Sequence, residues 1–220
     1  MYISSDGGKT WDHSLFIDEN TGISDIVMDT DNPRVLLAGA WHLELKPWQR
    51  ISGGKGSGIF KSRDGGESWV RLKNNGLPTK NVGKIALAMT PAAPDRVYAL
   101  IETGDGVPYN GEETESGELW RSDDNGNTFS LINSNRELGS RQAYYTRTTA
   151  SPDNPNEVYF ISYRFFSSID GGVSLENRSP ISSPNWDHHE MWIDPNDGNR
   201  MAVAGDGGIS ISQNCLLYTS

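Results

Sequence analysis

The sequence has almost no cysteine, less positive than negative charge, and no long apolar run. Cys215 is the only cysteine among 220 residues, so neither an intrachain disulfide nor a thiolate metal site is available. Acidic residues outnumber basic ones by 29 to 19, a formal net charge of −10, which argues against nucleic acid or an anionic membrane surface as a partner. No apolar run approaches the ~20 residues of a membrane span, and no segment has sustained helical periodicity. These absences favour an all-β protein without membrane insertion.

What the sequence has instead is a repeated turn motif, Ser-x-Asp-x-Gly-x-Thr/Ser-aromatic. The motif is complete at residues 4–11, 62–69 and 122–129, a fourth copy ends in Leu175, and a fifth begins at Ser212 and breaks off at Cys215. An Asp at the start of such a turn accepts hydrogen bonds from nearby backbone N–H groups, and the Gly supplies a positive φ. The aromatic residue after the turn is predicted to pack against a neighbouring unit. We call the four Asp-containing copies the box turns, and their structural carboxylates are Asp6, Asp64, Asp124 and Asp170.

The segments around the box turns repeat as well. A short alternating run precedes each complete turn, and a pair of apolar runs joined by an Asp, Asn or Pro turn lies between successive boxes. The Asp-to-Asp (finally Asp-to-Asn) spacings are 58, 60, 46 and 44 residues. The pattern predicts four strands per repeat and a period close to that of propeller blades.

The motif resembles the Asp-box, or bacterial neuraminidase repeat, and its surroundings are similar to large bacterial proteins with sortilin-type propellers, often labelled glycosyl hydrolases of the xyloglucanase type. The resemblance covers nearly the whole chain. It implies a β-propeller of four-stranded antiparallel blades, with the box turns between the third and fourth strands, on the face that usually lies opposite the functional one. It also implies an extracytoplasmic protein. Fold alone does not decide function.

The repeat count predicts an incomplete ring of about three full blades and two half-blades. We place the units at residues 1–21 (half), 22–80, 81–140, 141–187 and 188–214 (half), so the remaining blades of the same chain are expected partners. Residues 215–220 resemble the translation of a transposon end used in sequencing libraries. We therefore interpret them as a sequencing-adapter scar without a native partner.

The loops opposite the box turns form the predicted functional face. They carry the candidate ligand-binding residues, whose flat aromatic rings and polar groups suit a carbohydrate or a protein ligand: Trp41, His42, Trp48, Arg50, Tyr144, Tyr145, Arg147 and Trp186. An acidic insertion at residues 105–118 falls on the same face. For Trp41, Trp48, Tyr144 and Tyr145 a second interpretation stays open, in which the rings are wedges that fill the space between blades. For Trp192, Tyr98 and Tyr159, which lie inside strand patterns, we favour the wedge interpretation.

The densest group of ionisable residues lies at the predicted entry to an innermost strand. The candidate catalytic residues are Asp187, His188, His189, Glu190 and Asp206. Such a group suits general acid–base chemistry, a divalent metal or a structural hydrogen-bond cluster. Of these we expect no metal, and we expect no cofactor. Adjacent histidines in a strand point to opposite faces, so at most one faces the channel.

Three functions are compatible with the residues. A glycoside hydrolase needs two carboxylates across a cleft, for which Asp187, Glu190, Asp206 and Glu44 are candidates. A sialidase needs three clustered arginines; Arg50, Arg141 and Arg147 lie on the right face but in no sialidase-like motif, so we discount it. A binding propeller needs only the surface. The sequence favours the binding propeller, with polysaccharide hydrolysis as the alternative.

Overall fold

The computed structural model describes residues 1–103, 117–139, 142–179, 187–213 and 217–219. Nearly all regular structure in these residues is β-strand. The exceptions are a 3-10 helix at Arg136–Gly139 and a four-residue helix, α1, at Gln142–Tyr145. No helix in the described ranges is long and apolar enough to cross a membrane. The acidic insertion at 105–118, apart from its last two residues, lies outside the described residues, as do Arg141 and Trp186.

The strands form a two-stranded hairpin followed by four antiparallel sheets in chain order. The N-terminal hairpin pairs β1 (Tyr2–Ile3) with β2 (Asp12–His13). The first sheet contains β3 (Thr21–Met28), β4 (Leu36–Lys46), β5 (Gln49–Ser52), β6 (Gly58–Ser62) and β7 (Val70–Arg71). The second contains β8 (Ile85–Thr90), β9 (Ala93–Ile101), β10 (Glu118–Ser122) and β11 (Ser130–Asn133). The third contains β12 (Arg147–Ala150), β13 (Val158–Ile161), β14 (Phe165–Ser168) and β15 (Glu176–Asn177).

The fourth sheet differs from the predicted half-blade because it has four strands. These are β16 (His188–Asp194), β17 (Asp197–Gly205), β18 (Gly208–Ser212) and β19 (Leu217–Thr219). The last strand lies in the tail that we interpreted as a scar without a partner, and it pairs with β18 from Ser210↔Thr219 to Ser212↔Leu217. Backbone pairing to an open strand edge does not depend on side-chain identity, which explains how this tail completes the sheet.

Each sheet follows the simple order of consecutive strands, and the first strands of neighbouring sheets lie side by side: β3 with β8, β8 with β12, and β12 with β16. The long strand β4 extends beyond its sheet, and there it pairs with β5 from Leu43↔Ser52 to Lys46↔Gln49. We call this the β4–β5 hairpin. Four-stranded antiparallel sheets with adjacent innermost strands are the arrangement of a β-propeller, which confirms the predicted fold class.

The four box turns have one common hydrogen-bond pattern. In the second sheet the Ser122 hydroxyl donates to Asp124 Oδ1 (2.7 Å) and accepts from the Gly126 N–H (2.8 Å), while the Thr128 N–H and hydroxyl donate to the two oxygens of Asp124 (2.8 and 2.6 Å). The turns join β1 to β2, β6 to β7, β10 to β11 and β14 to β15, so they lie at one end of the strands, the box face.

These hydrogen bonds stabilise the ionised carboxylates. The Thr10 backbone N–H, above all, lowers the pKa of Asp6 to about 2, and the Ser174 hydroxyl is the main cause of the same lowering for Asp170. Because the folded-state pKa is lowered, the stabilisation is present above the ordinary carboxyl pKa of about 4 and is lost as the pH falls through about 2.

The core lies between the sheets. Strand β9 alternates between two clusters: Tyr98 and Leu100 pack toward the third sheet with Phe160, whereas Val97 and Ile101 pack toward the first sheet with Leu37. A third cluster joins the third and fourth sheets through Phe165, Met191 and Val203, among others. Tyr98 and Tyr159 are buried as inter-sheet wedges, as predicted, whereas Trp192 is about half-exposed on the side of β16 opposite Met191.

Different polar contacts close each seam between sheets. Trp69 Nε1 donates to Ser14 Oγ (2.9 Å) at the first seam, and Asn125 Nδ2 donates to the buried Asp29 (2.8 Å) at the second. Arg96 Nη1 donates to Asn156 Oδ1 (2.6 Å) at the third, and the Gly198 N–H donates to Asp153 Oδ2 (2.6 Å) at the fourth. Packing and these contacts together fix the order of the sheets.

Candidate functional site

The end of the strands opposite the box face carries the loops predicted to be functional. The β4–β5 hairpin, helix α1, the entry to β16 and the β17–β18 turn all lie at this end, because antiparallel strands alternate their direction along each sheet. We call this end the loop face. The strands therefore bring together residues that are more than 100 positions apart in the sequence.

An aromatic strip crosses the loop face from the first sheet to the third. Lys84 Nζ lies 5.4 Å from the centroid of the Trp41 ring and donates to the Tyr144 carbonyl oxygen (3.3 Å). Arg50 Cζ lies 5.4 Å from the Tyr144 ring, whose centroid is 6.0 Å from that of Tyr145. Two cations thus hold Trp41 and Tyr144 in a continuous array by cation–π contacts.

The strip continues into the fourth sheet. The Tyr145 and His189 ring centroids are 5.0 Å apart, and His189 Nε2 lies 2.7 Å from Asp206 Oδ1. Both members of this His–Asp pair are exposed. The Asp206 N–H donates to the Asp187 carbonyl (3.3 Å), and Asp187 has a φ of +58°, so it forms the sharp bend into β16. The structure places a histidine and a carboxylate within proton-transfer distance on an accessible surface.

The innermost strands line a cavity of about 360 Å³ next to the strip. Its ionisable residues are Asp25 on β3, Arg147 on β12 and Glu190 on β16. Arg147 Nε lies 3.5 Å from Glu190 Oε2, and Arg147 Nη1 donates to the Ser24 carbonyl (3.2 Å). Asp25 Oδ2 accepts from the Leu87 N–H (2.9 Å), and burial raises the pKa of this carboxyl above its ordinary value despite that bond. Two carboxyl groups, Asp25 and Glu190, therefore share one cavity with an arginine.

The buried carboxyl of Glu102, directly after β9, is linked by hydrogen bonds to the aromatic strip. Glu102, which is only 2% exposed, accepts from Ser52 Oγ (2.6 Å) and from the Lys84 N–H (2.8 Å), and burial raises its pKa. Ser52 Oγ in turn accepts from Trp41 Nε1 (3.0 Å). Burial, and secondarily the charge of Arg147, lowers the pKa of Lys84 to about 8. These bonds fix Trp41 and Lys84 to the scaffold.

Several predicted site residues lie elsewhere. His188 is fully buried, with its ring 5.8 Å from that of Phe165, and burial lowers its pKa, so it packs in the interior rather than facing a ligand. His42 lies near Thr21 and 3.2 Å from Glu44 Oε1, within the first sheet and its hairpin. Trp48 is 80% exposed at the hairpin tip. Tyr145 is buried and positions its neighbours, whereas Tyr144 is exposed.

Three residues of the site were missed by the sequence interpretation: Asp25, Lys84 and Glu102. A signal for Asp25 and Lys84 exists, since each lies at or just before an innermost strand, at positions comparable to those of Arg147 and Glu190. Side chains at equivalent positions of adjacent innermost strands converge on the centre of the array. The described residues contain no group of three or more His, Cys, Asp or Glu that could hold a metal ion.

Comparison with known proteins shows the fold and no closer relationship. No protein-family model matches the chain, and no curated protein sequence matches it. The GH74 enzyme of Niastella koreensis superposes with a TM-score of 0.64 at 17% identity, and the GH74 xyloglucanase of Xanthomonas campestris with 0.63 at 17% identity; each comparison covers 97% of this chain and 33% of the other. The α-L-arabinofuranosidase Arb93A of Fusarium graminearum gives 0.54 at 14% identity, covering 96% and 65%.

The chain spans about a third of the length of these two GH74 enzymes. At such low identities, structural likeness establishes the architecture and leaves the chemistry to be argued from the site. The chain is a β-propeller chain, similar in fold to these glycoside hydrolases.

Proposed function

We propose that this chain is part of an extracytoplasmic β-propeller that binds carbohydrate on its loop face. The observation that carries the proposal is the aromatic strip, in which Trp41 and Tyr144 are held by Lys84 and Arg50 beside the inner-strand cavity. Tyr144 is 67% exposed although cation–π and backbone contacts restrain it. A restrained, exposed aromatic ring offers a flat surface to the C–H face of a sugar with little loss of side-chain entropy on binding.

The polar groups around the strip complete such a site. Arg50 and the His189–Asp206 pair supply donors and acceptors for sugar hydroxyl groups at either side of Tyr144 and Tyr145. Ligand sites commonly combine an apolar or aromatic surface with a few well-placed polar groups that fix orientation. The same surface would serve a protein ligand, which is the other form of the binding proposal.

Tyr144→Ala is expected to weaken glycan binding by roughly 30-fold, since truncation of an aromatic anchor removes about 2 kcal/mol of binding free energy. Trp41→Ala is expected to act in the same direction. The measurement is a glycan array followed by calorimetric titration of the best neutral oligosaccharide. Trp11→Ala is the matched control, because Trp11 is an exposed aromatic residue on the box face. Equal losses in Tyr144→Ala and Trp11→Ala, or binding of proteins but no glycans, would overturn the carbohydrate proposal.

Glycoside hydrolysis is the second candidate, and the inner-strand cavity favours it. Burial raises the pKa of Asp25, which suits a proton donor, and Glu190 lies in the same cavity beside the Arg147 guanidinium. Acid-assisted glycoside cleavage uses two carboxyl groups across a cleft, one of which has a raised pKa and acts as the proton donor. The exposed pair His189–Asp206, bonded to the Asp187 carbonyl through the Asp206 N–H, offers a second proton-transfer group next to Glu190 in the chain.

If the cavity is catalytic, Asp25→Asn or Glu190→Gln is expected to abolish turnover of a polysaccharide while leaving its affinity nearly unchanged. The neutral isosteres keep the shape of each side chain, so the melting temperature should shift little. Release of reducing ends reports turnover, and calorimetry reports affinity. Asp206→Asn distinguishes the inner-strand cavity from the His189–Asp206 pair. A loss of turnover confined to this variant would assign the chemistry to that pair instead of to Asp25 and Glu190. A wild-type protein that binds glycans without turnover excludes hydrolysis and leaves the binding function.

A further inference from the structure

A second cavity is lined by charges opposite in sign to the net charge of the whole chain. It measures about 340 Å³ and lies at residues 72–84, the connector between the first and second sheets. Its lining includes four cationic residues, Lys55, Arg71, Lys73 and Lys80. No Asp or Glu is among its lining residues, although the chain has a formal net charge of −10.

Four positive charges around one concavity repel each other. This repulsion is stronger beside a low-dielectric protein wall than in bulk water. A concave surface also focuses the field of its lining charges into the cavity. An anion in the cavity would remove this repulsion, and Asn74, Thr79 and Asn81 supply further polar groups around it.

The floor of the cavity is fixed rather than adaptable. Arg71 Nη1 donates to the Lys55 carbonyl (2.6 Å), and Arg71 Nη2 donates to the Ser57 carbonyl. The guanidinium packs so closely over Gly58, which has a φ of +157°, that a Cβ there would lie 2.9 Å from Arg71 Nε. A guanidinium held in this way keeps its charge in place without further ordering on binding.

The cavity also has an apolar wall. Leu72, Leu77 and Pro78 line both the basic cavity and a smaller recess of about 40 Å³ that reaches Ile85 and Ile101 of the second sheet. A bare inorganic anion makes no use of such a wall. A sugar acid does, because it carries its charge on a ring whose C–H face is apolar.

We propose that this basic cavity binds the carboxylate or sulfate group of an acidic saccharide. Lys73 and Lys80 reach the anion from the connector, Lys55 from the base of the β4–β5 hairpin, and Leu77 and Pro78 contact the sugar ring. The inference that the anionic group belongs to a saccharide rests on the proposed carbohydrate binding. The inference that this cavity binds an anionic group does not depend on it. The ligand class that follows is a uronate-containing or sulfated polysaccharide rather than a neutral one.

The experiment compares five probes on the full chain by titration calorimetry: a galacturonate trimer, a sulfated disaccharide, a neutral glucose trimer, sodium sulfate and a polyglutamate peptide. Wild-type protein is expected to bind at least one acidic saccharide in preference to the neutral trimer and to sulfate. The double variant Lys73→Gln, Lys80→Gln should weaken this binding by about 10- to 100-fold, which corresponds to about 1.4–2.7 kcal/mol of binding free energy for the two exposed charges together. Both lysines are exposed, so the fold should be unaffected, and the two single variants give intermediate losses.

The matched control is Lys9→Gln, Arg34→Gln, which removes the same charge from exposed turns at the box-face end. Equal affinities in the two double variants would show that the loss of binding reflects only the change in net charge, and this would overturn the proposal. Sulfate binding as tight as the saccharide, or preference for a polyglutamate peptide, would likewise overturn it. Tyr144→Ala separates the two sites: its failure to alter neutral-glycan binding refutes the aromatic site, and unchanged acidic-saccharide binding in the Lys73, Lys80 variant refutes the basic cavity.

Discussion

Replacing Phe129 by alanine is expected to lower the free energy of unfolding by about 3–5 kcal/mol. Phe129 follows the box turn of the second sheet and is 5% exposed, in a cluster with Leu37 and Ile59 of the first sheet. Its removal would leave a cavity in the seam between two sheets, in addition to the lost transfer free energy of the ring. Urea denaturation followed by intrinsic fluorescence measures the change.

The same position in the other box turns provides graded controls. Trp69 is half-buried and bonded to Ser14, whereas Trp11 is 62% exposed. The order of destabilisation should therefore be Phe129→Ala, then Trp69→Ala, then Trp11→Ala, with the last within about 0.5 kcal/mol of wild type. Three equal losses would show that the aromatic residue stabilises its own turn rather than the seam.

Gly76→Ala is expected to destabilise the protein by about 4 kcal/mol or more, which places it among the largest single-residue effects. Gly76 has a φ of +94°, and a Cβ at this residue would lie 1.9 Å from the Phe129 carbonyl oxygen. The connector would have to move, which would break the bond from the Phe129 N–H to the Asn75 carbonyl (2.7 Å). Thermal unfolding or loss of soluble protein on expression would report the effect.

Gly65→Ala is the matched control for this variant. Gly65 has a φ of +82°, yet a Cβ there would have no heavy atom within 4 Å. This variant therefore isolates the conformational penalty of a positive φ, about 1–2 kcal/mol. If Gly76→Ala were no worse than Gly65→Ala, the close approach of the connector to Phe129 would be wrong.

The sequence predicts those parts of the structure that depend on neighbours in the chain. The box turn at Asp124 is determined by the motif at residues 122–129, and its hydrogen bonds follow from residue type alone. The four strands of the second and third sheets followed from the same repeat, whereas the β4–β5 hairpin and the tail strand β19 did not. The Asp, Asn or Pro turn predicted between paired apolar runs falls, between β8 and β9, at residues 91–92, because β9 already begins at Ala93. Pro94 is the first proline inside that strand, near its start, where a missing N–H is tolerated.

The site was predicted less well because distant residues build it. Strand alternation requires His188 and His189 to point to opposite faces, but only the packing of Phe165 decides which of them is buried. Asp25 and Glu190 share a cavity although 165 positions separate them; the ionisable group at residues 187–190 marked Glu190, but no local motif marks Asp25. Glu102 owes its role to burial beside Ser52 and Lys84, which sequence patterns do not report.

The seams have a consequence for how such a chain evolves. The box turns are nearly identical, but the contacts across the seams are not: Asn125 meets Asp29, Arg96 meets Asn156, and Gly198 meets Asp153. A repeat that is duplicated or moved would therefore keep its own turn but lose its polar contacts with the sheets on both sides. Repeats should therefore be gained or lost as adjacent pairs, because a pair keeps the contacts across its shared seam. Recombination that joins two repeats from different seams should be strongly disfavoured.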